Sequence, residues 1–91
     1  MQFEFDPAKS ALNKGKHGID FVEAQAIWQD EKRVLISARS SNEQRFAVIG
    51  RIGGRDWIAF FTLRSESIRI FSVRRARVAE VRMYGREMGN G

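Results

Sequence analysis

The stretch Ser67-Ile-Arg-Ile-Phe-Ser-Val-Arg-Arg-Ala-Arg-Val-Ala-Glu-Val-Arg-Met-Tyr84 changes its period halfway along. From Ser67 to Val73, β-branched and aromatic residues alternate with polar ones, the pattern of a strand with one buried face. Beyond it, Val78, Val81, Gly85 and Met88 recur at helical spacing, which predicts a helix from about Arg75 to Met88. A strand therefore runs directly into a helix, and Arg69, Arg74, Arg75, Arg77 and Arg82 crowd the junction. Burying an unpaired guanidinium is costly, so this many must face water, carboxylates or a polyanion. Arg69 and Arg74 have opposite parity along a strand, so they reach one site only if the chain bends near Ser72.

Upstream the two-residue period continues. It predicts strands over Val34–Ala38, Gln44–Ile52, Arg55–Arg64 and Ser67–Val73. Gly53-Gly54 is a tight hairpin signal and Ser65-Glu66 a second short turn, and connections this short make neighbouring strands antiparallel. Trp57, Ala59, Phe61 and Leu63 share one face of the third of these strands, while Ile58 and Phe60 lie on the other. That strand is expected at the centre of the sheet, covered on both sides, with Trp57 and Trp28 read as core.

Towards the N-terminus, Gln2 to Phe5 alternates as a short strand would. Asp6-Pro7 is a helix start, with Asp as N-cap and Pro at the first helical position, and Gly18 is the matching stop. Ala8, Ala11 and Leu12 are the expected apolar stripe of this helix; Asn13, Lys14 and Lys16 are its polar side. Asp20-Phe21-Val22-Glu23 has the form of a capping box opening a second helix, with Phe21, Ala24, Ile27 and Trp28 on one face. The order β-α-α-β-β-β-β-α predicts one α+β domain over residues 1–91. Its antiparallel β-sheet carries two N-terminal helices and one C-terminal helix packed on it.

Composition narrows the function classes. With no cysteine there is no disulfide framework, thiol nucleophile or thiolate metal site. No apolar run is long enough to span a bilayer, and the acidic opening at Glu4 and Asp6 is unlike a signal peptide, so a cytoplasmic protein without membrane contact is expected. The net charge of +5 is unevenly spread. Residues 1–30 hold three lysines against five carboxylates, whereas residues 64–91 hold seven arginines against three glutamates. Arginine's planar fork suits phosphate and carboxylate, so a nucleic acid or an acidic protein is the expected partner.

Few side chains are suited to chemistry. His17, the only histidine, either transfers protons or caps the end of the first helix. Glu43 and Arg45 share a strand face, as a base beside a phosphate clamp or as a surface ion pair. Arg64, Arg69, Arg74 and Arg75 gather at strand ends and the helix start, as a phosphate grip or a solvated basic face. Tyr84 can donate a proton, stack on a base, or sit at the core edge. One histidine and scattered carboxylates do not supply a metal's ligands, and no glycine loop cradles a phosphate, so no metal or cofactor is expected.

Phe3-Glu4-Phe5-Asp6-Pro7 with Lys9 and Asn13, Lys16-His17-Gly18-Ile19 and Phe21-x-Glu23-Ala24 form one set of motifs. Glu43-x-Arg45 with Gly50, and Arg69-Ile70-x-Ser72-x-Arg74-Arg75-Ala76 with Glu80 and Tyr84, complete the pattern. In this order they resemble the BrnT toxins, the ribonuclease half of type II BrnT/BrnA toxin–antitoxin pairs. Phe5 stands where that family usually has Trp, and Trp28 where Phe is common. The resemblance implies a RelE-like fold, metal-independent endoribonuclease activity that arrests translation and growth, and neutralisation by a cognate DNA-binding, BrnA-like antitoxin in a hetero-oligomer. It implies a base that takes the proton of a ribose 2′-OH, cations on the phosphoryl oxygens, and an acid for the leaving 5′-oxygen. The catalytic candidates are His17, Glu43, Arg45, Arg74, Arg75 and Tyr84. Lys16, Arg64, Arg69 and Arg77 are the candidates for RNA binding. The alternative is a non-catalytic RNA-binding or protein-interaction module using the same arginines.

Overall fold

The computed structural model describes residues 2–40 and 43–89, the side chains of 38–40, 43 and 87–89 excepted. Strand β1 (Gln2–Glu4) leads into helix α1 (Pro7–His17) and a 3₁₀ helix (Glu23–Gln29). Strands β2 (Val34–Ser40), β3 (Glu43–Ile52), β4 (Arg55–Arg64) and β5 (Ser67–Arg75) come next, then helix α2 (Val78–Gly89). The five strands lie in the order β1-β5-β4-β3-β2. β2 to β5 form the expected antiparallel meander, turned at Gly53-Gly54 with both residues at positive φ. The sheet is mixed rather than antiparallel, because β1 pairs parallel to β5, Gln2 opposite Ser67 and Glu4 opposite Arg69. Short turns dictate direction only between consecutive strands; β1 meets β5 across a separation of 65 residues, where no local turn constrains it.

Helix α1 begins and ends as its sequence specifies. The Asp6 carboxylate accepts from Ala8 N–H at 2.8 Å, and Gly18, at φ 81°, donates to the Lys14 carbonyl. Its docking face differs from the expected stripe. Leu12 is 73% exposed, and the buried residues are Ser10 and Asn13. The reason is an open edge: β1 covers only the first part of β5, leaving the backbone at Val73 without a strand beside it. The Asn13 amide fills that place, donating to the Val73 and Ile19 carbonyls at 2.9 and 2.8 Å and accepting from Val73 N–H at 3.3 Å. Ser10 Oγ accepts from Phe21 N–H at 2.9 Å. Buried polar groups are thus satisfied by Ser10 and by Asn13, which periodicity assigned to the polar side.

The capping box forms, Asp20 accepting from Glu23 N–H at 2.7 Å and Glu23 from Asp20 N–H at 2.9 Å. The segment it opens is a 3₁₀ helix of seven residues rather than an α-helix. Ala24 and Ile27 are spaced by three, which aligns them on one edge of a 3₁₀ helix, and both are fully buried, as is Phe21 in the turn before it. This segment lies so close to β3 that a Cβ at Gly50 would come within 2.8 Å of Ile27 Cγ2 and 3.1 Å of its carbonyl oxygen.

The sheet is covered on both sides, as expected for β4. One layer packs Val48, Trp57, Ala59, Phe61, Ile70 and Val73 against the 3₁₀ segment, with Trp28 edge-on to Phe3 and Phe61. The other packs Ala47, Ile49 and Ile58 against Tyr84 of α2. Helix α2 starts at Val78, three residues later than periodicity suggests, because β5 continues through Arg75. It turns Glu80 and Tyr84 inward, while Val78 is 68% exposed. Among the described residues no helix is long and apolar enough to cross a membrane.

Candidate nucleic-acid interface

The decisive irregularity is a β-bulge in β5. Phe60 of β4 pairs with Ser72, but the next residue, Phe61, pairs with Ile70, so Phe71 is left without a partner. A bulge inserts one residue and reverses the parity of the rest of the strand. Arg69 lies opposite Thr62 and Arg74 opposite Ile58, so the two arginines now share the face covered by α2. The bend required near Ser72 is this bulge.

At one end of that face, β3, β4, β5 and α1 enclose a cleft of about 190 Å³ lined by Lys9, Arg45, Thr62, Arg64, Arg69 and Phe71. Arg45 places its guanidinium 5.2 Å from the centre of the Phe71 ring, within cation–π range. Arg69 is held loosely by Glu4 at 3.4 Å, both side chains more than a third exposed. Among the described residues, no carboxylate lies within ion-pair distance of Lys9, Arg45 or Arg64. Like charges gathered without counterions repel, so the cleft is set up to take an anion.

The other end of the same face is neutralised. Arg74 forks onto Glu80 with two bonds of 2.8 Å and stands over the Phe60 ring at 5.3 Å. The same carboxylate accepts from Arg77 N–H at 2.7 Å, the return bond that caps α2. The Arg74 fork, with the Arg77 bond, holds the Glu80 carboxyl below its usual range. Arg51 bonds Asp56 at 2.8 Å and stands 5.2 Å from the Tyr84 ring. Asp30, just after the 3₁₀ segment, accepts from Tyr84 Oη at 2.6 Å, Arg51 N–H at 2.8 Å and Lys32 N–H at 2.9 Å. Burial opposes the charge on Asp30, but these bonds outweigh it and hold the carboxyl below its ordinary value. Burial, then the Asp30 bond, pushes the Tyr84 phenol up to about 12.

Of the sequence candidates, Arg45, Arg64 and Arg69 meet in the cleft. Arg74 is engaged by Glu80. Tyr84, 3% exposed, points inward from α2 and donates its hydroxyl hydrogen bond to Asp30. Arg75 is exposed and stands over Trp57 at 5.4 Å, on the opposite face of the sheet, and Arg77 is exposed at the start of α2. Lys16 and His17 close α1, whose eight residues beyond Lys9 carry them about 12 Å along the helix from the cleft. Glu43 opens β3 opposite Ser40, but its side chain lies outside the described residues. Sequence reasoning missed Lys9 and Phe71 as cleft residues; the parity conflict between Arg69 and Arg74 was the available sign of the bulge that exposes Phe71. Among the described residues no three histidine or acidic side chains gather as a metal site requires.

The fold and cleft define a small basic α+β protein with a cleft lined by cationic side chains at one end of its sheet. The sequence profile of the family described as "Ribonuclease toxin, BrnT, of type II toxin-antitoxin system" matches residues 5–80. The chain belongs to that family of ribonuclease toxins, and membership of a type II toxin–antitoxin system implies a protein antitoxin as its partner. A comparison with curated proteins gives no match.

Proposed function

We propose that this chain is a RelE-like, metal-independent endoribonuclease that cuts cytoplasmic RNA, and so arrests translation and growth, until a DNA-binding, BrnA-like antitoxin covers it in a hetero-oligomer. The observation that carries this reading is the cleft, where Arg45, Arg64, Arg69 and Lys9 converge and only Arg69 has a carboxylate partner among the described residues. The ribose 2′-oxygen attacks the adjacent phosphorus as its proton passes to a base. The bond from phosphorus to the 5′-oxygen breaks, and that oxygen takes a proton from an acid. The products are a 2′,3′-cyclic phosphate and a 5′-hydroxyl. Arginine remains protonated throughout, so the guanidiniums serve charge stabilisation on the phosphoryl oxygens rather than proton transfer. Glu43, two residues before Arg45, is the first candidate base and His17 the second. Lys9, which lines the cleft, joins His17 and Lys16 as a candidate acid, whereas Tyr84 is buried away from the cleft with its hydroxyl committed to Asp30.

One observation favours a second reading, a binding module that grips RNA without cutting it. The described lining residues include neither a carboxylate nor an imidazole. A gel assay on RNA in excess chelator separates the two. Wild type is expected to cut, and Arg45→Ala/Arg64→Ala to lose about 100-fold or more in rate with its fold unchanged. Intact RNA with wild type, or undiminished cutting by the double variant, overturns the nuclease assignment to this cleft.

A further inference from the structure

Phe71 is half-buried, yet it belongs to neither core layer. The bulge removes it from strand pairing and presents its ring to the cleft. Phe60 supports it at 6.4 Å with a tilt of 39°, and the Arg45 guanidinium covers it at 5.2 Å. For phosphate the ring can only orient the Arg45 guanidinium; it adds no charge or donor of its own. A nucleobase does gain, because every base has a π-face that stacks on aromatic rings and guanidinium planes. The cleft, at about 190 Å³, is smaller than sites for drug-sized ligands and suits one planar ring or one phosphate group.

We infer that Phe71 and Arg45 form a stacking seat for one unpaired base, which makes the substrate single-stranded RNA. Lys9, Arg64 and Arg69 then hold the adjoining phosphates. This inference rests on the reading that the cleft takes RNA. Bases in a duplex are already stacked and cannot enter the seat, so paired RNA meets only the cations.

The test measures binding by anisotropy with a labelled short 2′-O-methyl oligoadenosine, which lacks the attacking hydroxyl, so that binding is read without cleavage. The same strand paired with 2′-O-methyl oligouridine is the duplex probe. Phe71→Leu is expected to weaken single-strand binding about 5- to 100-fold, leave duplex binding unchanged and leave the salt dependence of binding unaltered. Phe71→Trp is expected to bind the single strand at least as tightly as wild type. Arg64→Ala, by contrast, is expected to weaken both probes and to lower the salt slope by about one. The seat is refuted if Phe71→Leu binds the single strand as wild type does, or if wild type prefers the duplex. If wild type binds neither probe, the RNA reading of the cleft fails as well, so the two failures are told apart.

Discussion

At one end of the α2-covered face, Arg51 and Arg74 each grip a carboxylate and stand over an aromatic ring. At the other end, six residues and about 20 Å back along β3, Arg45 also stands over a ring but has no carboxylate among the described residues. Residue type and local geometry are alike at the two ends; the difference is the counterion. A paired guanidinium has its donors engaged by the fold, and recruiting it to a substrate phosphate means breaking a bond that holds β3 to β4, for Arg51, or β5 to α2, for Arg74. An unpaired one keeps its fork free and raises the field that draws a polyanion in.

The sharpest way to break this contrast is to exchange the roles of the two ends. The double variant Arg45→Ala/Arg64→Ala is expected to slow RNA cutting about 100-fold or more while its denaturation midpoint stays at the wild-type value. Arg74→Ala should do the reverse. Both partners of its ion pair are about four-fifths buried, so removal leaves Glu80 unpaired and is expected to cost about 2–3 kcal/mol of stability by denaturant titration. RNA affinity per folded molecule should be unchanged. An Arg74→Ala protein that is fully stable but cannot cut would place Arg74 in the chemistry instead.

Smaller effects sharpen the same picture. Tyr84→Phe removes a bond to a charged acceptor and is expected to cost about 1–2 kcal/mol with no loss of RNA cutting. Tyr84 is the only tyrosine, so tyrosinate absorbance reads it alone. Its folded pKa, about 12, lies above the ordinary 10.0, so its stabilising contribution is complete below pH 10 and is lost as pH rises through about 12. A tyrosinate midpoint near 10 in the folded protein would contradict the buried bond. The smallest expected effect is at Glu4, the loose partner of Arg69. Glu4→Gln should tighten RNA binding about twofold at low salt, a gain that vanishes as salt screens it. Weaker binding would mean that Glu4 orients Arg69 for its ligand.

Several elements were legible because their signals are local. Asp6-Pro7 and Gly18 bound α1, Gly53-Gly54 turns the β3–β4 hairpin, and alternation placed Ile58 and Phe60 opposite Trp57 and Ala59. Other features misled for an equally physical reason. The Ala8, Ala11 and Leu12 stripe counts apolar residues, but the neighbour that α1 meets is an open strand edge, which needs hydrogen bonds, and Asn13 supplies them. The Val78, Val81 stripe of α2 lost to Glu80 and Tyr84, whose partners on β5 and after the 3₁₀ segment anchor the helix.

The amino-acid order alone carries the class of this protein: its caps, its two-residue and helical periods, its motif series and its excess of arginine in the later two thirds. Which arginines are free was settled only when the chain closed on itself. Pairing depends on which carboxylate arrives beside each guanidinium, and those meetings join residues remote in sequence, as Glu4 meets Arg69 and Asp30 meets Tyr84. The bulge at Phe71 belongs with them, since it is defined by register against β4 and has no existence in an isolated strand.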